Sequence, residues 1–381
     1  MMSGTSLDGV DAVAARISGS GKDLEIETLS FVSEPYPSDL RELLLRNSKE
    51  EGSSVLDLSQ LNMRLAYQYA AAVDRAAAAA GILRSEIDLV GSHGQTVHHV
   101  PAPTSCAGLD TISTLQIGDP SAMANLLDIP VVGDFRIADM ALGGQGAPLV
   151  PYFDYVYFSH EEETRGLLNI GGIANISVIP AGAEADDVYA FDTGPGNMIS
   201  DALARLLFDE PYDDSGRRAA GGSFDDGLMA ELLKDRYFTQ EPPKSTGREY
   251  FGQSYAERLV TQCTETMGRP RPEDVMATAA MLTVLSVYQA YARFVRPKNE
   301  LDVLIVSGGG KHNEFIMEGL RKTFGPIPVR TVDEYGLDSD AKEALCFAVL
   351  AHEAVNGVPT NLPSVTGASH KTILGKICVP A

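Results

Sequence analysis

Two stretches of this chain share one plan: a strand, a tight glycine turn and a second strand. Ser3-Gly4-Thr5-Ser6-Leu7-Asp8-Gly9 runs into the alternating segment 10–17, which begins Val10-Asp11. Asn169-Ile170-Gly171-Gly172-Ile173-Ala174-Asn175 runs into Ile176-Ser177-Val178-Ile179. Hairpin tips of this kind are rich in N–H and hydroxyl donors. Because the device opens each half of the chain, it points to a duplicated α/β domain, with two tips able to hold a polyphosphate from both sides of a cleft. A length of 381 residues suits two core-forming domains.

A third glycine-rich run carries a carboxylate. Phe191-Asp192-Thr193-Gly194-Pro195-Gly196-Asn197 follows the short apolar stretch Val188-Tyr189-Ala190 and precedes a helical segment, 197–208. A carboxylate at the mouth of a strand can take a proton from a nucleophile, and a helix N-terminus beside it attracts anions. Farther on, Gly308-Gly309-Gly310-Lys311-His312-Asn313 follows the buried-strand candidate 301–306. It satisfies neither common phosphate-loop template, since Ile305 and Asn313 stand where those templates need glycine. The run is either a plain strand-to-helix turn or, as we favour, an adenosine site where glycines let a ring or phosphate approach the backbone.

Other polar residues stay open between two readings. Asp8 is a turn residue or orients the water shell of Mg²⁺. His93 and Gln95, in Gly91-Ser92-His93-Gly94-Gln95-Thr96, are satisfied core groups or sugar contacts. Asp134, Arg136 and Asp139 form an ion-pair cluster or belong to a site. Glu343 is a solvated first-turn carboxylate, unless a family resemblance raises it.

Composition narrows the partners. A formal net charge of −22 argues against nucleic acid or an anionic membrane surface. Any phosphate site must therefore rely on backbone donors, a metal ion and a few local cations. Cys106, Cys263, Cys346 and Cys378 are scattered without zinc or redox spacing, as free thiols in a reducing cytoplasm would be. No apolar run reads as a membrane span, and no signal peptide is visible. The 22% charged and 44% hydrophobic residues are ordinary for a globular chain.

Strand patterning at 1–34 gives way to a helical region, 39–80, closed by Gly81. Short strands at 87–90 and 129–132 deliver polar loops at their ends, as an open α/β sheet predicts. Strands follow at 166–170, 175–179 and 188–192, then a long helix over 276–295. Gly143-Gly144-Gln145-Gly146 is the best hinge candidate, about which two halves would close when ligands bind. The expected division is 1–135, with a C-terminal return over about 360–381, and 136–359, the half that carries the nucleotide turn and the base.

Together these turns resemble the sugar-kinase/Hsp70/actin superfamily. Within it, the chain is similar to the anhydro-N-acetylmuramic acid kinase family. The matching runs are Ser-Gly-Thr-Ser-Leu-Asp-Gly (3–9), Gly-Ser-His-Gly-Gln-Thr (91–96), Asp-Phe-Arg (134–136) and Gly-Gly-Gln-Gly-Ala-Pro-Leu (143–149). They continue with Asn-Ile-Gly-Gly (169–172), Phe-Asp-Thr-Gly-Pro-Gly-Asn (191–197), Ser-Thr-Gly-Arg-Glu (245–249) and Ser-Val-Thr-Gly-Ala (364–368). They cover nearly the whole chain in the family's order.

The resemblance implies two ribonuclease-H-like α/β domains of the actin-like ATPase fold, flanking a nucleotide and sugar cleft. It implies a cytoplasmic, typically homodimeric enzyme of cell-wall recycling that uses ATP and Mg²⁺. The reaction opens a 1,6-anhydro ring and phosphorylates O6. By motif, the catalytic base falls on Asp192, and the phosphate loop on Gly4, Thr5, Ser6, Leu7, Asp8, Gly9, Val10 and Asp11, with Asp8 toward the metal. Gly171, Gly172, Gly308, Gly309, Gly310 and Asn313 complete the nucleotide side. His93, Gln95, Asp139, Gln145 and Glu343 fall to the substrate.

The family has a short apolar strand ahead of the first hairpin, where this sequence has only Met1-Met2, so either the start is misplaced or the first strand is truncated. A levoglucosan-type kinase shares the chemistry. A nucleotide-switched chaperone would lack a sugar-proximal base, and a glycosidase with paired carboxylates would leave the glycine turns without purpose.

Overall fold

The computed structural model describes residues 1–4, 7–49 and 51–381. Thr5 and Ser6, expected in the phosphate loop, lie outside the described residues. The chain divides into two compact units, Met1–Tyr157 with Asp340–Ala381, and Phe158–Ser339.

In the first unit, β1 (Gly9–Ser18) and β2 (Glu25–Pro35) form an antiparallel pair. The helix Val55–Ala80 packs its buried stripe, Leu61, Leu65, Tyr69 and Val73, against that pair. Each such side chain contributes roughly 1.5–3 kcal/mol when fully buried. The single helical region expected over 39–80 is two helices, Ser38–Asn47 and Val55–Ala80. Ser54 starts the second by accepting the Asp57 N–H, and Gly81 ends it in the left-handed conformation, as its position predicts.

β3 (Val90–Ser92), β4 (Gln95–Cys106), β5 (Leu109–Ile117) and β6 (Val131–Gly133) follow. β3 pairs parallel with β6, and a last strand, Lys376–Cys378, closes antiparallel on β6. The β4–β5 hairpin had no counterpart in the sequence reading. Its outer half is exposed, so no burial pattern marks it. Residues 1–3 are a paired segment. Met2 exchanges both amide bonds with Asp11, His93 donates to the Met1 carbonyl, and Ser3 bridges Gln95 in parallel.

The second unit holds one sheet in the order β11-β10-β7-β8-β9: β7 (Arg165–Ile170), β8 (Ile173–Ile179), β9 (Tyr189–Pro195), β10 (Val303–Ser307) and β11 (Val329–Thr331). β7, β8 and β9 form an antiparallel meander, and β10 and β11 add parallel strands beside β7. This is the ribonuclease-H-like order that the family resemblance implies.

One expectation needs correcting. The stretch Pro272–Val295 is long and apolar enough to cross a membrane by length and composition. It is nonetheless the central core helix of this unit, with Val275, Met276, Leu282, Val284 and Val287 buried.

The boundaries fall at 157/158 and 339/340, not at 135/136 and 359/360. A buried ion pair explains the shift: Lys342 Nζ lies 2.7 Å from Asp154 Oδ1, tying the helix Lys342–Val355 to Val150–Phe158 within the first unit. The hinge candidate is corrected as well. Residues 143–146 lie inside the first unit, where Gly144 N donates to the Asp139 carbonyl and Gly146 N to Asp139 Oδ2 at 2.8 Å. A Cβ on Gly144 would collide with that carboxylate, so this glycine serves a close approach and not a hinge.

Removing one partner of a buried ion pair strands the other charge. Lys342→Met is expected to lower unfolding stability by about 3–5 kcal/mol, with much of the loss recovered when Asp154→Leu is added. Chemical denaturation of the single and double variants checks this, and equal stability of Lys342→Met and the parent would contradict it.

Candidate active site

Asp192 lies within β9, not at its end, because the strand continues to Pro195. Opposite Asn175 the pairing with β8 slips, and this bulge sets the aim of Asp192. The strap that follows the helix Arg236–Thr239 clamps the residue. Asp192 N donates to the Lys244 carbonyl at 3.1 Å, Thr246 N donates to Asp192 Oδ2 at 2.9 Å, and the Tyr237 hydroxyl donates to the Asp192 carbonyl at 2.9 Å. Oδ1 accepts no hydrogen bond from the described residues. Burial pushes the carboxyl up to about 6; the Thr246 N–H and the Lys244 charge hold it down, and Glu249 pushes it further up.

Lys244 is itself buried. Its ammonium donates to the Tyr237 carbonyl at 3.0 Å and sits over the rings of Tyr237 and Phe294. Burial, aided by Arg293, pushes it down to about 8. A carboxylate at about 6 beside an ammonium at about 8 suits a proton acceptor near neutral pH.

The helix start next to Asp192 is not open to an anion. The N–H groups of Gly196, Asn197 and Met198 donate to the carbonyls of Gly171 and Gly172 at the β7–β8 tip. That tip lies beside the turn after β10. Gly308 has φ +79°, and a Cβ there would come 2.6 Å from Asn169 Oδ1; Gly310 packs on Ile170. Gly309 is different. Its Cβ would meet only Asn197 Nδ2, at 3.7 Å, and Gly171 is equally open. Gly309 is also exposed, which leaves its backbone free for a ligand. Asn313 caps the helix Glu314–Phe324 through the Ile316 N–H, a structural task that takes up its side-chain oxygen.

In the first unit, several expected sugar contacts are braces. Gln95 Oε1 accepts the Ser3 hydroxyl at 2.6 Å and Nε2 donates to the Gly4 carbonyl, so its amide is taken up by the first hairpin. Asp139 is fully buried, with Oδ1 accepting from Asn361 and Thr366 and Oδ2 from Gly146. Asp134, Arg136 and Asp139 form no common cluster, for Asp134 pairs with Lys376 and Arg136 with His93. His93 is buried; burial and then Arg136 push its imidazole well below the usual range. Gln145 stands exposed on the 143–146 loop, its N–H donated to Thr366. Glu343 keeps exposed surface, yet the chain packed around it raises its carboxyl, with Asp11 adding to the effect and Lys342 and Arg136 opposing it.

The family model for anhydro-N-acetylmuramic acid kinase matches residues 1–380. The chain belongs to the anhydro-N-acetylmuramic acid kinase family. Its relatives of that name include a protein of Salinibacter ruber, 59% identical over all of this chain and 95% of that one. One of Francisella tularensis subsp. novicida is 41% identical over 99% of this chain and 97% of its own. One of Caldanaerobacter subterraneus subsp. tengcongensis is 39% identical, covering 99% and 95%.

A divalent cation at the first hairpin would find carboxylates there. Asp8 is exposed, and the carboxyl of Asp11 is raised by burial and by the charges of Asp8 and Asp340. A cation would relieve that repulsion. No group of three or more metal-binding side chains occurs among the described residues. Mg²⁺ takes as few as one or two carboxylates beside substrate phosphates and water.

The sequence reading assigned no task to Lys244, Thr246 or Tyr237. The signal for the first two was a lysine between a proline pair and Ser-Thr-Gly in an otherwise polar stretch. Asp192 is expected to titrate near pH 6 instead of 3.8. Removing the Glu249 charge by Glu249→Gln should move its pKa down, and Lys244→Met should move it up. Carbon-13 NMR of labelled aspartate checks both signs, and an Asp192 titration unmoved in either variant would contradict the assigned causes.

Proposed function

We propose that this family member transfers the γ-phosphoryl group of ATP to O6 of 1,6-anhydro-N-acetylmuramic acid while water opens the anhydro bridge. Asp192 acts as the general base. Its free Oδ1 takes a proton from water as the water oxygen attacks C1. The C1–O6 bond breaks, its electron pair stays on O6, and O6 attacks the γ-phosphorus in line as ADP leaves. The products are N-acetylmuramic acid 6-phosphate and ADP, and the proton passes from Asp192 to solvent. The observation that carries this reading is the Asp192 carboxyl, poised at about 6 with one oxygen fixed by Thr246 and the other unoccupied among the described residues.

The open backbone at Gly171 and Gly309 supports a nucleotide on the second unit. The first hairpin, braced by Gln95, supports a phosphate loop through Gly4 and Asp8. Mg²⁺ bound near Asp8 would offset charge on the transferring phosphoryl oxygens. The chain works as a cytoplasmic homodimer, a reading supported by the family resemblance and by a recycling role in the compartment that holds ATP.

Asp192→Asn is expected to keep ATP affinity while turnover falls by at least about a hundredfold, the loss typical of a missing general base. ADP release with the anhydrosugar, beside calorimetric ATP binding, measures both; near-normal turnover would sink the assignment. Gly309→Val should leave the fold intact, because only Asn197 lies near the new side chain, yet weaken ATP binding by at least about tenfold. Unchanged nucleotide affinity in a folded Gly309→Val protein would remove the nucleotide from this turn.

A further inference from the structure

Among the described residues, Arg136 has no carboxylate partner. Its Nε and Nη2 both donate to Nε2 of His93, at 3.0 and 2.9 Å, and Nη1 donates to the Gly146 carbonyl at 2.8 Å. Both acceptors are neutral. His93 Nδ1 faces the Gly94 carbonyl at 2.8 Å, which assigns its proton to Nδ1 and leaves Nε2 a lone pair for the arginine. The arrangement is rigid, since the His93 ring packs on Phe347 with centroids 4.6 Å apart. Among the described residues no acidic side chain lies within 4 Å of the guanidinium; Glu343 acts on it only from farther away.

The chain treats other arginines differently, pairing Arg218 with Glu210 and Arg271 with Asp274. In a protein of net charge −22, acidic partners are plentiful. A crowded guanidinium left without one is costly, and a bound anion would offset that cost. Three of its five N–H groups are engaged, so each Nη keeps one free. Two such N–H groups in one plane form the fork that takes a carboxylate through parallel bonds.

We infer that Arg136, oriented by His93 and Gly146, is the specificity residue that receives a carboxylate carried by the sugar, and so separates acid-bearing from neutral 1,6-anhydrosugars. The inference rests on the anhydrosugar reading above. That reading names the sugar but assigns no residue to its carboxylate. Muramic acid carries a lactyl carboxylate, whereas levoglucosan carries no charged group at all. The same fork would also accept a phosphate, and the arms of the test separate that source.

The direct test uses 1,6-anhydro-N-acetylmuramic acid and its carboxamide, which differ only in the charge and one heteroatom of the lactyl group. Charged hydrogen bonds are worth roughly ten- to hundredfold in affinity. The parent protein should therefore prefer the acid to the amide by at least about tenfold in KM and in calorimetric Kd. Arg136→Gln should bring the two within about twofold, mainly by weakening the acid, with kcat changed less than KM and ATP affinity retained. Arg136→Lys, which keeps charge but not the fork, should fall between.

A parent protein that binds acid and amide equally would overturn the inference, and this arm needs no variant to fold. So would an Arg136→Gln protein that keeps the preference, or one that loses ATP and both sugars together, since Arg136 would then serve the phosphates. Failure of ADP release with every anhydrosugar would instead strike the kinase reading, while the binding preference would still decide the role of Arg136.

Discussion

The contact on which the second unit depends is between a hairpin tip and a helix start. Gly171 and Gly172 offer their carbonyls to the N–H groups of Gly196, Asn197 and Met198. A helix start has N–H groups with no partner inside the helix, so something must satisfy them. Here the partner is the β7–β8 turn, which ties the end of β9 to the middle of the sheet. Asp192 sits four residues before Gly196 and inherits that fixed frame. The strap through Lys244 and Thr246 then closes over it, supplying one N–H bond to the carboxylate and the crowding that raises its pKa. Glycine is needed at the helix start, because a Cβ on Gly196 would collide with the Gly171 carbonyl.

The first unit builds its hairpin by other means. Ser3, Tyr36 and Gln95 share a buried hydrogen-bond network under the turn, and Leu7, at φ +55°, is held by Arg41 donating to its carbonyl. Arg136 and Lys244 are each held by neutral acceptors. Lys244 holds the Asp192 carboxyl down, and each Nη of Arg136 keeps one N–H without a partner among the described residues.

Much of this was legible in the sequence. Glycine pairs flanked by β-branched and apolar residues can do little but turn, so both hairpins and the Asp192 strand were readable, as were the Gly308 turn and the long core helix. What sequence could not give was the identity of each polar partner. Gln95, Asp139 and Asn313 look like ligand groups because polar residues near glycine turns often are. Their tasks as braces and a cap depend on residues as remote as Ser3, Thr366 and Ile316. The glycines at 143–146 read as a hinge for the same reason, since nothing local shows that Asp139 fills the space a side chain would need. The unit boundary was missed because a single buried pair, Lys342 and Asp154, joins helices nearly two hundred residues apart in the chain.

The central claim is that water activated by Asp192 opens the ring while O6 takes the phosphoryl group. Running the reaction in oxygen-18 water and locating the label in the products tests it most directly. The account predicts one heavy oxygen at C1 of the sugar phosphate and none in the phosphoryl group. Label in phosphate, or a sugar phosphate without label at C1, would contradict it.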